Sequence, residues 1–279
     1  MAPLRLSTLA AFYSRHLALH EGGILEWTDV EPARSIDLTA VHVTVARNGS
    51  YAIDRSGRLL QWSIDSPQPR VCAEHIAHAS AGESAVLAVT TDGILIKRTP
   101  GASAWIEVAS DVVQGWIGDS SDYYIARDGR LYVSGLAHRG QYGDGLLTKV
   151  DRWKHVADDV VHVCAHTGHA VLLKSDGMVE GTGGNRYGPL GQHGFGDKAD
   201  RWGTIFEDAT HIATGARNTL AIRSDRTLWV WGEHVGLDPV HVLDDVSDVA
   251  CGDHHAIART RNGRLWFWAL GALPKRLSM

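Results

Sequence analysis

The chain has 279 residues, of which 44% are hydrophobic, and carries a net charge of −5 with a pI near 6.3. This composition predicts a soluble globule, and the acidic balance disfavours general attraction to nucleic acid or to an anionic membrane. No run approaches the roughly 20 apolar residues that a membrane-spanning helix needs. Protonation of all sixteen histidines would turn the net charge of −5 into +11, so acid would reverse the surface charge.

Three cysteines, Cys72, Cys164 and Cys251, form an odd set in a long chain, which argues against a disulfide framework and for a reducing compartment. The first residues, MAPLRLSTLAAFYSRH, make a poor signal peptide because their apolar run is short. We therefore expect a cytoplasmic protein that is monomeric on its own, with export without such a signal as the alternative.

A hairpin pattern recurs seven times along the chain, most clearly at 211–232 (HIATGARNTLAIRSDRTLWVWG) and again at 251–268. Aligning the copies on the turn residue gives spacings of 35 to 49 residues. Glycine dominates these anchors because an Asp-Gly or Asn-Gly hairpin turn requires a positive φ. In chain order the anchors are Gly22, Gly57, Gly93, Gly129, Gly177, Arg226 and Gly263.

Other positions repeat with the anchors. Every copy is apolar two residues after the anchor, at Ile24, Leu59, Leu95, Leu131, Val179, Leu228 and Leu265. Tryptophan recurs five residues after it (Trp27, Trp62, Trp231, Trp268), and alanine five residues before it (Ala52, Ala88, Ala221, Ala258). Strand-length apolar runs separated by turns, at this repeat length, predict an all-β, seven-bladed β-propeller over residues 1–279 as a single domain.

The first copy has no segment of its own to complete a blade, whereas residues ALGALPKRLSM follow the last copy. Pro274 in that tail resembles Pro69 and Pro239, which open strands in other copies. We therefore expect the C-terminal tail to supply the strand that closes the first blade.

The phrases VVHVCAHTGHAVLLKSDG, GLAHRGQYGDG and VSDVACGDHHAIARTRNGRLWFW resemble repeats of the regulator-of-chromosome-condensation family of seven-bladed propellers. The resemblance spans residues 9–277 and is strongest over 111–268. It implies the fold but not one function, since the family includes exchange factors for small GTPases, a plant light receptor, ubiquitin-ligase modules, bacterial effectors and a secreted β-lactamase inhibitor. The first three copies depart from the family pattern in their short connectors, and His166 stands where the family has glycine.

Tryptophans also recur 24 positions before three consecutive anchors, at Trp105, Trp153 and Trp202. The two longest connectors, 135–152 and 183–201, lead into two of them. Aromatic and arginine side chains are typical of interface hot spots, which predicts a partner-binding arc. The alternative is that the tryptophans cap blade rims. The predicted arc comprises Trp105, Trp153 and Trp202 with Arg139, Tyr142, Arg186, Tyr187, His193 and Phe195.

A second set of polar residues lies 15 positions before the anchors: His42, His78, Gln114, His162, His211 and Asp248, with Thr8 in the first copy. The same position in every blade falls on one circle about the axis. Such an axial polar ring would bind an anion or a metal, or sense pH, unless it is simply a solvated strand start. His162, Cys164 and His166 alternate along one strand and are weak metal candidates, because one repeat with no second cluster rarely makes a zinc site.

No phosphate loop, nucleophile elbow or zinc-protease motif is present, and the glycine-rich stretch at 181–188 lacks the third glycine of a dinucleotide fingerprint. We therefore expect no catalytic residues and no cofactor. The sequence favours a non-enzymatic module that binds another protein, and neither nucleic acid nor membrane, through one disc face. Two alternatives stay open: nucleotide exchange on a small GTPase, and a small-molecule or metal site, possibly enzymatic, at the histidine ring.

Overall fold

The computed structural model describes residues 7–28, 33–47, 49–191 and 196–277. These residues form seven four-stranded antiparallel sheets in which the strands lie in chain order, so each sheet is one blade of the predicted propeller. No helix that would cross a bilayer occurs in the described part of the chain.

Blade 1 comprises β1 (Leu9–Phe12), β2 (Arg15–His20), β3 (Gly23–Thr28) and β4 (Arg34–Ile36), and blade 2 comprises β5 (Ala40–Ala46), β6 (Gly49–Asp54), β7 (Leu59–Trp62) and β8 (Arg70–Ala73). Blade 3 comprises β9 (Ile76–Ala81), β10 (Val86–Thr90), β11 (Leu95–Arg98) and β12 (Ile106–Ala109), and blade 4 comprises β13 (Val112–Ile117), β14 (Ser121–Ala126), β15 (Leu131–Gly135) and β16 (Val150–Ala157). Blade 5 comprises β17 (Val160–His166), β18 (His169–Lys174), β19 (Val179–Gly184) and β20 (Lys198–Phe206). Blade 6 comprises β21 (Ala209–Thr214), β22 (Asn218–Arg223), β23 (Leu228–Gly232) and β24 (Gly236–Leu243). Blade 7 comprises β25 (Val246–Cys251), β26 (His255–Thr260), β27 (Leu265–Ala269) and β28 (Lys275–Arg276).

The anchor turns of blades 2 to 7 adopt the left-handed conformation that the sequence predicts, with φ between 69° at Arg226 and 91° at Gly93. The anchor turns of blades 2 to 6 also join their blade to the next one. The Gly57 carbonyl accepts the Ile76 N–H at 2.8 Å, and the Gly129 carbonyl accepts the Val160 N–H at 2.9 Å. The anchor therefore sets both the hairpin and the start of the following blade.

The recurring alanines and tryptophans lie between blades. Ala52, Ala88, Ala221 and Ala258 have no exposed surface, and the four recurring tryptophans are at most 7% exposed. Ala221 and Trp231 of blade 6 share one apolar cluster with Val171 and Leu173 of blade 5. A methyl side chain on the second strand lets the neighbouring blade approach closely, and the indole fills the widening gap beyond it.

The prediction that the C-terminal tail closes the first blade is wrong. The tail strand β28 pairs with β27 in blade 7, and blade 1 takes its outermost strand from β4, which pairs with β3. Arg34 in β4 donates to the buried carboxylate of Glu26 in β3 at 2.9 Å. This ion pair adds to the backbone pairing of β4 with β3, so blade 1 has four strands from its own segment.

The ring instead closes by side-chain contacts between blades 1 and 7. The Asp248 carboxylate accepts the backbone N–H of Thr8 at 2.9 Å and its hydroxyl at 2.5 Å. The Arg259 guanidinium donates to the Leu19 carbonyl. An aromatic cluster covers the same seam, with ring centroids 5.0 Å apart for His16 and Phe267.

We expect Asp248→Ala to lower the free energy of unfolding by about 1–3 kcal/mol, because it leaves two donors of Thr8 without their acceptor in a half-buried seam. Asp248→Asn keeps one acceptor oxygen and should lose less. Urea denaturation followed by tryptophan fluorescence measures both values. The exposed Asp65→Ala is the control, and an equal effect of Asp65→Ala and Asp248→Ala would show that the seam does not depend on this carboxylate.

Candidate functional site

The first strand of every blade is innermost, and parts of all seven line an axial cavity of about 450 Å³. The two disc faces differ in chemistry. One, the ring face, holds the anchor turns and the beginnings of the innermost strands. The other, the connector face, holds the turns between first and second strands and the connectors between third and fourth strands, because antiparallel neighbours return to the same side.

The predicted polar ring lies where the innermost strands begin. A β-bulge precedes the ring residue in blades 2 to 7, for example between Ala40 and His42 and between Val160 and His162. Bulges of this kind redirect a side chain and increase local twist. His42, His162, His211 and Asp248 reach the axial cavity, whereas His78 and Gln114 are buried beside it.

His42 is bound within the protein in its neutral form. Its Nδ1 accepts the Ser7 N–H at 2.9 Å, and its Nε2–H donates to the Ala79 carbonyl at 2.7 Å, so it bridges blades 1 and 3. Burial lowers the pKa of His42 to about 4, against the opposing effect of the Ala79 hydrogen bond. Burial also lowers the pKa of His78, whose ring centroid is 5.0 Å from that of His42.

The weak metal candidates do not converge. His162 Nε2 lies 3.3 Å from the Cys164 sulfur, but the buried Cys164 thiol donates to the Ile212 carbonyl. His166 lies at the opposite mouth of the cavity, 3.4 Å from the Asp253 carboxylate. Among the described residues no group of three or more His, Cys, Asp and Glu has an arrangement suited to a metal ion.

His166 stands at the repeat position where blades 3, 4, 6 and 7 have glycine (Gly82, Gly118, Gly215 and Gly252). Its Nδ1 is 4.0 Å from Asp119, and Thr167 donates to the same carboxylate at 2.7 Å. Burial raises the pKa of Asp253, with His166 opposing that shift. The mouth of the cavity on the connector face therefore holds two carboxylates beside the His166 imidazole.

The three tryptophans of the predicted arc lie at the outermost strands and are half-buried. Trp105 donates its indole N–H to the Cys72 carbonyl of blade 2 at 2.9 Å, and Trp153 packs edge-on against Tyr124 at 4.8 Å between centroids. Trp202 packs against the cluster between blades 4 and 5. These contacts give each indole a packing role, so any partner would meet only the remaining edge.

The two long connectors fold down onto the next blade. A Cβ on Gly143 would stand 2.4 Å from the Trp202 ring, so the connector of blade 4 requires glycine there to cover blade 5. The buried side chain of Asn185 ties the connector of blade 5 together by accepting the Leu190 N–H at 2.9 Å. The Pro189 carbonyl of that connector accepts the Trp231 indole N–H of blade 6 at 2.9 Å.

These contacts divide the predicted partner residues. Tyr142 is 0% exposed inside the cluster between blades 4 and 5, so its assignment to a binding surface is wrong: the connector turns its ring inward to cover the core. Arg139, Arg186 and Tyr187 are exposed on the connector face. His193 and Phe195 lie outside the described residues.

Between the two connectors lies a groove of about 400 Å³, here called the connector groove. Arg139 and Arg186 line it together with three groups absent from the sequence prediction: His169, Lys198 and Arg217. Arg217 stacks over Tyr187 with its guanidinium carbon 4.0 Å from the ring centroid. Only folding brings these residues together, since they come from two connectors, two strands and a turn in three blades.

A profile of the Regulator of chromosome condensation (RCC1) repeat matches residues 246–268, which lie in blade 7. A sequence search of curated proteins returns no match. Among solved structures, human WBSCR16 is similar with a TM-score of 0.78 at 15% identity, over 90% of this chain and 85% of that one. Prp20p from Saccharomyces cerevisiae has a TM-score of 0.78 at 16% identity, over 97% and 82%. The ectodomain of the Arabidopsis thaliana receptor kinase ACR4 has a TM-score of 0.66 at 14% identity, over 98% of both chains.

The fold and these neighbours define the chain as a seven-bladed β-propeller. Its last blade matches the profile of the RCC1 repeat, and yeast RCC1 is among its structural neighbours, which confirms the resemblance predicted from the sequence.

The buried state of His42 predicts that stability falls in acid. Because the pKa is about 4 in the folded protein and about 6.5 in the unfolded chain, the unfolded chain binds more protons between these values. The stability that the protein owes to neutral His42 is fully present above pH 6.5 and is lost as the pH falls toward 4. Over this range the free energy of unfolding falls by about 3 kcal/mol. We expect His42→Gln to be less stable than the parent at pH 7 and to show a shallower loss between pH 7 and pH 4.

Urea denaturation at several pH values measures this slope. The exposed His234→Asn, at a left-handed position that asparagine tolerates, is the control and should keep the parent slope. A His42→Gln slope equal to that of the parent would contradict the assignment of His42 as a buried neutral histidine.

Proposed function

We propose that this propeller is a non-enzymatic module that binds another protein through its connector face. The observation that carries the proposal is the pair of long connectors, whose described residues cover the blades that follow, whereas the corresponding connections of blades 2, 3, 6 and 7 are shorter. The large apolar side chains exposed on this face include Leu146, Leu147 and Tyr187, at 50%, 43% and 39%. Exposed apolar groups beside arginines are typical of a protein interface rather than of free surface.

The rigidity of the face supports the same role. Side-chain and backbone hydrogen bonds hold the described parts of both connectors against the blade that follows, so these parts have little conformational freedom to lose on binding. The two connectors are insertions relative to the other copies of the repeat, and repeat proteins commonly bind through such insertions. Trp202 would then support the connector of blade 4 from below rather than form the contact itself.

What is known of two structural neighbours is compatible with a protein partner. Yeast RCC1 (Prp20) has been determined bound to Kap60, and the structure of Prp20p is described with its binding properties to Gsp1p and histones. With identities of 14% and 16%, these neighbours share the fold with this chain, and the type of partner extends to it only as part of the proposal.

We expect the triple variant Leu146→Ser, Leu147→Ser, Tyr187→Ala to lose the proteins that the parent captures from an extract of its native host. Quantitative mass spectrometry of the captured material should show at least tenfold depletion, because the variant removes the exposed apolar contacts without altering the core.

The control is Val71→Ser with Ile106→Ser, which removes exposed apolar groups from the outermost strands of blades 2 and 3. It should retain the captured set. Partners retained by the triple variant and lost by the control would place binding on the blade edges and contradict the proposal.

The exchange-factor alternative rests on the family resemblance alone, because a shared fold does not define an activity. Release of fluorescent guanine nucleotide from a panel of small GTPases tests it directly. The proposed function predicts no acceleration at micromolar propeller concentrations. Acceleration that survives dilution to catalytic amounts would replace the binding role with exchange.

A further inference from the structure

We infer that the connector groove binds an acidic segment of the protein partner, with Arg139 and Arg186 as its principal contacts. This inference rests on the proposed function, since it specifies the chemistry of a ligand for the connector face. Four cationic side chains line the groove, namely Arg139, Arg186, Lys198 and Arg217. Asp197 is the one carboxylate among its described lining residues.

The charge of the groove is opposite to that of the chain as a whole, which is −5. Glu233 neutralises part of it by accepting a hydrogen bond from Arg217 at 2.6 Å. Within the described residues, no carboxylate lies within ion-pair distance of Arg139 or Arg186. A carboxylate supplied by a partner would therefore meet two guanidinium groups suited to paired hydrogen bonds.

The arginines are positioned before any ligand arrives. The side chain of Arg139 lies across the backbone of Gly168, where a Cβ would stand 2.4 Å from Arg139 Cδ. The guanidinium of Arg217 is stacked on Tyr187, and that of Arg186 lies 5.9 Å from the centroid of the same ring. Gly168 restricts the side chain of Arg139, and the Tyr187 ring restricts those of Arg186 and Arg217. Binding of a ligand therefore removes less side-chain freedom than it would from unrestrained arginines.

His169 supplies an independent indication of a ligand. It lines the groove at 1% exposure, and its Nε2 has no hydrogen-bond partner among the described residues. Burial lowers its pKa to about 3, so the ring is neutral at pH 7. A buried ring nitrogen without a hydrogen-bond partner costs free energy. A polar atom of a ligand in the groove would supply the missing hydrogen bond to His169 Nε2.

Two features favour an acidic peptide over a nucleic acid. The four cations of the site lie in one short groove, whereas a nucleic-acid backbone needs an extended basic track. Apolar surface also adjoins the groove: Leu237 lies over Gly188, next to Tyr187, and is 45% exposed. A segment that alternates carboxylates with apolar side chains matches both the arginines and this surface.

The test is selection from a random 12-residue peptide display library on the parent protein and on the double variant Arg139→Gln, Arg186→Gln. We expect peptides selected on the parent to be rich in Asp and Glu interleaved with apolar residues, and the double variant to lose that enrichment. For the most enriched peptide, fluorescence anisotropy should give a dissociation constant at least tenfold higher with the double variant, the loss that one charge-assisted hydrogen bond represents.

The matched control is Arg127→Gln with Arg261→Gln, which removes the same charge from exposed arginines of the ring face. It should bind the peptide within twofold of the parent. His169→Gln, folded by its circular dichroism spectrum, should bind several-fold more weakly than the parent. A 20-nucleotide single-stranded DNA should bind parent and double variant equally weakly.

The inference is overturned if no peptide is selected, if the selected peptides are not acidic, or if the two double variants bind alike. Tight DNA binding that depends on Arg139 and Arg186 would overturn it in favour of a nucleic-acid ligand. Partner capture distinguishes these failures from failure of the proposed function. Capture that is lost in the apolar triple variant but kept in the arginine double variant removes only the acidic-segment inference.

Discussion

The propeller depends on the packing of each blade against the next. A four-stranded blade of this size exposes two apolar faces and cannot remain folded alone, so each face must be covered by a neighbour. Three repeated devices achieve this: an anchor turn whose carbonyl accepts the first N–H of the next blade, an alanine that permits close approach, and a tryptophan that fills the gap. The remaining structure follows from repeating them around a circle.

Ring closure shows how a small number of polar contacts substitutes for a shared strand. Blades 1 and 7 each have four strands of their own, and the seam between them is held by Asp248, Arg259 and an aromatic cluster. Asp248 occupies the same repeat position as His42 and His162. The polar ring is therefore part of the architecture in at least two blades, at Asp248 and at His42, where its side chains join one blade to another.

The proposed binding function belongs to residues outside the repeated pattern. The devices that build the blades leave the two long connectors free to vary, because these connectors lie above the core and need only a few glycines and buried amides to hold them down. The arginines of the connector groove are then displayed on a rigid base. The repeated blades hold the fold together, whereas the binding site lies on connectors that are not repeated. A binding site placed in this way can change without cost to the fold.

The sequence by itself determined the number of blades and the left-handed anchor turns, because both follow from local spacing and turn chemistry. The burial of the recurring alanines and tryptophans between blades became apparent only in the structure. The sequence also indicated the connectors and two of their arginines. Tertiary structure alone decided that the tail remains in blade 7, that Tyr142 points inward, and that Arg217, Lys198 and His169 join Arg139 and Arg186. The physical reason is that a repeat specifies contacts between residues at a constant sequence separation. The seam between blades 1 and 7 and the connector groove instead join residues at irregular sequence separations, which come together only when the blades pack into a ring.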